Sequence, residues 1–211
     1  MRVEPVTVAA VAAEVADAAL ALPGVPRVAV DGAVPADTRY VADAVAAAVT
    51  ARGRPVARVD AEDFLRPRSL RLEHGPADPD AGYERWYDWH ALLREVLEPL
   101  SPGGRGDWLP TLWDAAADRA TRAARVPARP GTVAVVSGPF LLRWESAHAV
   151  DYAVHLLTSP AAIARRVPAA DLDRVRGAWA RYTAETDPAS RADVVLRFDR
   201  PTAPARVHPP L

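Results

Sequence analysis

Between Val6 and Leu22 apolar residues recur at helical spacing, Thr7 stands where it can cap the first turn, and Pro23-Gly24 ends the run. That segment reads as a helix. Arg27 to Val30 is a short apolar run leading into Asp31-Gly32, and past a turn containing Pro35 a helical pattern extends from Thr38 to Ala51. Pro55 to Val59 reads as a second strand, closed by the acidic residues Asp60, Glu62 and Asp63. Residues 65 to 87 mix Arg, Pro, Gly and aromatics with no sustained period, and read as an irregular excursion over the sheet edge. Trp89 to Leu100 is helical in pattern, Pro102 to Pro130 mostly loop, and Thr132 to Val136 the most β-branched run, which marks a central strand. Tyr152 to Leu157 and Asp193 to Phe198 complete five strands, with helical patterns at 160 to 166 and 171 to 184.

Strands alternating with helices predict a three-layer α/β/α domain around a mostly parallel five-stranded sheet. The chain divides into an N-terminal helix (1 to 25), an α/β core (26 to 200) and a Pro-rich tail (201 to 211) ordered only by docking. It is expected to be a single domain, and no internal repeat is visible.

Composition narrows the function classes. Half of the 211 residues are hydrophobic, enough for a full core. No cysteine is present, which removes disulfides and thiol chemistry. The net charge of -1 comes from 26 basic and 27 acidic residues interspersed along the chain, so neither nucleic acid nor an anionic membrane is expected as a partner. Apolar runs are broken by Glu14, Asp17 or Asp43, well short of the ~20 residues of a membrane span. A cytoplasmic protein is expected. All 26 basic residues are arginine; lysine is absent.

In a parallel sheet ligands bind beyond the carboxyl ends of the strands, so Asp31 to Arg39, Asp60 to Arg68 and Ser137 to Pro139 should converge on one cleft. The strand-loop-helix at 27 to 51 is where a phosphate loop G-x-x-x-x-G-K-[ST] would stand, and it reads GAVPADTR. Taken alone, that turn is an N-cap, since Asp and Thr satisfy free N–H groups.

Several segments, in order and spacing, resemble the uridine kinase family of P-loop small-molecule kinases. They are VAVDG at 28 to 32, ARGRPVARVDAEDFLRPR at 51 to 68, GYERWYDWHALLREVLEPLSPGG at 82 to 104 and SRADVV at 190 to 195. The resemblance implies a P-loop NTPase-like fold over most of the chain, and it turns GAVPADTR into a degenerate phosphate loop. Ungapped from Gly32, it sets Asp37, Thr38 and Arg39 on Gly-Lys-[ST]. A carboxylate then stands where phosphate should lie, the ammonium is lost, and so is the hydroxyl that binds magnesium. Pro35 deletes one N–H donor, and Ser137 stands where the family carries an acidic residue. No metal ligand set and no cofactor are therefore expected; ATP and magnesium enter only if Arg39 replaces the lost lysine.

The acceptor side is better kept. The resemblance places Glu62 at the position of the base that takes the proton of the attacked hydroxyl, with Asp63 as its neighbour, and Asp88 where an aspartate holds sugar hydroxyls. Arg66, Tyr83, Arg85, Trp86, His90 and Arg119 are candidate substrate contacts, with Arg68, Arg71 and Arg122 as further cations. Arg165 and Arg166 resemble the arginines of a phosphate-clamping lid. A structural reading stands beside each: the acids capping their turn, the aromatics in the core, the arginines in surface ion pairs. The first expectation is a kinase-dead protein that binds a small polar ligand, nucleoside-like or phosphorylated. Alternatives are an ATP-independent acid/base enzyme, an active kinase with an atypical loop, and a scaffold that docks a partner through residues 65 to 87.

Overall fold

A computed structural model describes residues 2 to 208. The named elements are β1 (Arg2–Pro5), α1 (Val8–Leu20), β2 (Arg27–Gly32), α2 (Pro35–Ala51), β3 (Val56–Asp60), a 3-10 turn (Ala61–Phe64) and α3 (Pro79–Glu84). They continue with α4 (Trp89–Leu92), a π-helical turn (Leu93–Leu97), β4 (Val133–Gly138), β5 (Tyr152–Leu157), α5 (Pro160–Arg166), α6 (Leu172–Thr186), β6 (Val194–Arg197) and β7 (Ala205–His208).

The main sheet runs β1-β7-β6-β5-β2-β4-β3. Its five expected strands, β6-β5-β2-β4-β3, are mutually parallel. Two more are added antiparallel at one edge, β7 beside β6 and β1 beside β7. The N-terminal segment is therefore strand then helix. The Pro-rich tail contributes a strand through residue 208, and residues 209 to 211 lie outside the described residues. Residues 65 to 87 are more ordered than their composition suggests, since Asp78 caps α3 through Ala81 N at 2.6 Å. The stretch from Pro102 to Pro130, expected to be mostly loop, holds two small antiparallel strand pairs, Asp107–Trp108 with Val126–Pro127 and, between them in sequence, the hairpin of Trp113–Asp114 with Arg119–Ala120.

Alternation along the strands decides what each sheet face meets. Val28, Val30, Val133 and Val135 turn to one face and pack on Val11, Val15, Val41 and Val45 of α1 and α2. Ala29, Ala57, Ala134 and Ala153 turn to the other. These small side chains leave depth for the bulky cluster of Tyr83, Phe140, Trp179 and Tyr182, whose rings meet at centroid distances of 5.0 to 6.2 Å. The cleft opens on this aromatic face.

Candidate active-site cleft

β2 delivers Gly32 to the end of the sheet, and only three residues later α2 begins. Pro35 at the first helical turn explains the early start, because its ring presets φ and its missing N–H is not needed there. The helix thus begins three residues before the point the apolar period suggests. The consequence is chemical: the amides of Asp37 and Thr38 already donate to the Val34 carbonyl at 3.0 and 3.2 Å. A Cβ on Gly32 would come within 2.9 Å of the Thr38 methyl and 3.0 Å of Leu156, so the fully buried Thr38 is packed down onto β2.

Asp37 is buried and forms an ion pair with Arg166 at 2.5 Å. The same guanidinium donates to the carbonyls of Phe198 at 3.0 Å and Asp199 at 2.5 Å, fastening the end of α5 to the start of α2. Burial pushes the Asp37 carboxyl above its usual range even against the pull of Arg166. Arg39 turns to the acidic turn, where its Nε donates to Asp60 at 2.8 Å and its Nη2 to Glu62. Hydrogen bonding to Asp60, foremost, holds the Arg39 guanidinium more firmly protonated.

Asp60 caps the 3-10 turn through Glu62 N at 3.0 Å, so both of its oxygens are engaged. Burial and then the charge of Asp60 raise the Asp63 carboxyl. Ser137 is paired in register with Asp60, and its hydroxyl accepts from Arg58 Nη2 at 2.8 Å.

These loops border a cleft of about 300 Å³, walled by the turn at 33 to 36, by Arg39 and Glu62, by Trp86, Tyr87, Phe140 and Trp179, and by Arg166 and Arg174. Arg174 lies over the Trp86 ring at 3.4 Å and donates to Asp171 at 2.6 Å, while its Nε is buried without a partner among the described residues. Beneath the cleft, Asp31 and His155 pair across β2 and β5 at 2.7 Å, and His155 stacks on Trp179 with 5° between the rings. Asp31 also accepts from Leu141 N at 2.9 Å.

Of the residues proposed from sequence, the structure brings Glu62, Trp86, Arg39 and Arg166 to the cleft. Asp63 lies beside it in the 3-10 turn. Asp88 is a helix cap, accepting Ala91 N at 3.0 Å, because its short side chain folds back on a free amide in the first turn of α4. Tyr83 belongs to the aromatic core under Arg143. Arg85 pairs with Glu73 at the surface, and Arg119 sits on a separate hairpin. Arg66 and His90 line a second, smaller hollow. Arg165 bonds back to its own helix at Ala161 O. Sequence reasoning missed Arg174, Asp171 and Trp179; the available signal was an arginine on an apolar stripe, with Arg174, Ala178 and Tyr182 all buried at four-residue spacing.

At this turn the amides of Asp37 and Thr38 are engaged inside α2, the Asp37 carboxylate is paired with Arg166, and each Asp60 oxygen accepts one bond, from an amide or a guanidinium. Among the described residues, no helix is long and apolar enough to cross a membrane.

No protein-family model matches the chain, and no curated protein matches it. Solved structures do. A possible uridine kinase from Bacillus stearothermophilus superposes with a TM-score of 0.71 at 19% identity, covering 87% of this chain and 96% of the other. A putative fructose transport system kinase from Silicibacter sp. TM1040 gives 0.56 at 23% identity over 88% and 92%. The D-glycerate 3-kinase of Cryptococcus neoformans gives 0.54 at 15% identity over 86% and 81%. The order of the parallel strands, the cleft at their carboxyl ends and these three likenesses together give the chain the fold of the P-loop small-molecule kinases.

Proposed function

We propose that the protein binds a small, largely uncharged polar molecule with a flat ring in this cleft, and that it carries out no ATP-dependent phosphoryl transfer. The observation that carries the reading is the Asp37–Arg166 pair at the start of α2. It sets a carboxylate where a triphosphate would rest and spends the arginine best placed to clamp one. The other cleft cations are likewise matched, Arg39 by Asp60 and Glu62 and Arg174 by Asp171. Cations already neutralised within the protein attract a polyanion weakly, because binding it first requires breaking those pairs. The same pairing argues against Arg39 standing in for a lysine. What the cleft does offer is aromatic surface from Trp86, Tyr87, Phe140 and Trp179 and an acceptor, Glu62, at its rim, which suits a nucleoside-like ring with hydroxyls.

Thermal unfolding with millimolar Mg-ATP, set beside calorimetric titration of nucleosides and sugar phosphates, tests the reading. A ligand at 100 times its Kd stabilises by about 2.7 kcal/mol, so an unchanged melting temperature with Mg-ATP is expected together with heat from a nucleoside. A rise of several degrees with Mg-ATP, or ATP hydrolysis dependent on Glu62, would refute it.

A further inference from the structure

Every charged side chain on the cleft wall is answered within the protein: Arg39 by Asp60 and Glu62, Arg166 by Asp37, and Arg174 by Asp171. The Tyr87 hydroxyl is different. Tyr87 walls the cleft and keeps only 6% of its surface exposed, yet its hydroxyl makes no hydrogen bond among the described residues. Nor is that hydroxyl sealed off, as the Nε of Arg174 is. A buried tyrosine hydroxyl usually finds a partner, so an open and unanswered one calls for a ligand. The charges that act on it most strongly are those of Glu62, Arg174, Asp60 and Arg71. The first two wall the cleft and none of the four lines the smaller hollow behind the ring, which puts the hydroxyl end on the cleft side. The ring itself is fixed. On either side of Tyr87 the backbone is tied to the neighbouring segment, Arg66 N donating to Trp86 O at 3.1 Å and Asp88 N to Phe64 O at 2.7 Å, and the ring packs on Trp89 and Phe140 at centroid distances of 5.1 and 6.3 Å.

We propose that Tyr87 determines the specificity of the cleft, its hydroxyl donating to a neutral acceptor, a carbonyl oxygen or a ring nitrogen, on the ring of the bound molecule. The inference rests on the cleft being the binding site and adds the chemical class of ring it takes. Burial, and after it the Glu62 carboxylate, raise the phenol above its usual range, so the hydroxyl keeps its proton and stays a donor. The two carboxylates and two guanidiniums that act on it offset one another, so an anionic acceptor gains no net attraction there. A neutral acceptor needs none. A ring without an acceptor would leave the hydroxyl unpaired in the filled cleft, which is how a site built around one hydrogen bond rejects an analogue that lacks it. Because the ring is already held in place, little ordering is left to oppose binding.

The test is calorimetric titration of the full chain, wild type and Tyr87→Phe, with the four common ribonucleosides, whose rings carry acceptors, and with β-D-ribofuranosylbenzene, whose ring carries none. At least one ribonucleoside is expected to bind wild type, and Tyr87→Phe should weaken it about five- to tenfold, the worth of one neutral hydrogen bond. The benzene riboside should bind both proteins weakly and alike. Since the hydroxyl has no partner inside the protein, unliganded Tyr87→Phe should melt at or above the wild-type temperature. A melting temperature several degrees lower would show the hydroxyl engaged within the fold and overturn the proposal. Ribonucleoside binding left intact by Tyr87→Phe, or weakened equally for both classes of ring, would also overturn it while leaving the cleft reading in place. No heat from any ribonucleoside with wild type would overturn both.

Discussion

Replacing Arg166 with Met removes the guanidinium that joins α5 to α2 while keeping most of the side-chain volume. The side chains of Asp37 and Arg166 are 10% and 18% exposed, so the surviving carboxylate would stay in a poorly hydrated site, and the carbonyls of Phe198 and Asp199 would lose their donor. Breaking a buried pair from one side costs about 3–5 kcal/mol. The residual exposure of both partners places this case near the lower end, about 3 kcal/mol, or roughly 6–12 °C in Tm for a chain of this size. The loss should also depend on pH. Burial already lifts the Asp37 carboxyl in the folded state, and without Arg166 it rises further. A folded carboxyl that holds its proton where the unfolded one has released it makes stability fall as pH rises, beginning near the unfolded value of about 4 and ending above the folded one. The cost of Arg166→Met should therefore be smallest near pH 4, where the loss of the carbonyl bonds remains, and grow towards pH 8. Urea denaturation of wild type, Arg166→Met and Asp37→Asn/Arg166→Met across that range measures it. The double variant should shed most of the pH-dependent part, because Asn carries no charge to strand. A loss below about 1 kcal/mol, typical of a surface pair, or one indifferent to pH would refute the claim that this pair is buried and binds the two helices.

Restoring the missing ammonium alone, by Thr38→Lys, should cost about 3 kcal/mol or more and give no stabilisation by Mg-ATP, since the position is fully buried against Gly32 and Leu156; denaturation with and without nucleotide checks both. Gly82→Ala places a methyl 2.6 Å from the Arg174 stem and 3.2 Å from Ala178, and should destabilise by about 1–3 kcal/mol while changing the fluorescence of Trp86. Asp31→Ala strands the His155 ring nitrogen and the Leu141 amide in the core, so a loss of at least about 2 kcal/mol is expected in a denaturant melt.

How far the chain can be read without its fold differs by element. The β-branched run at 132 to 136 and its four parallel companions are visible because burial on both faces demands nearly continuous apolar residues, a local property. Thr7 likewise announces its own helix, accepting Ala10 N at 3.1 Å. The edge strands are invisible: Arg2–Pro5 is exposed along its length, and its pairing with Ala205–His208 rests on backbone bonds between segments some two hundred residues apart. The residues of the turn after β2 are legible, since Asp37, Thr38 and Arg39 can be counted from Gly32. Their partners are not. Whether Asp37 meets Arg166, Arg39 meets Asp60, or Asp88 turns back to cap α4 depends on distances across the folded chain and on how much water each site excludes. Periodicity and turn chemistry are written between near neighbours, so the sequence alone determined the layers and the make-up of the turn after β2. Charge pairing and burial arise only when distant segments meet, so the tertiary structure decided which arginines remain available to a ligand.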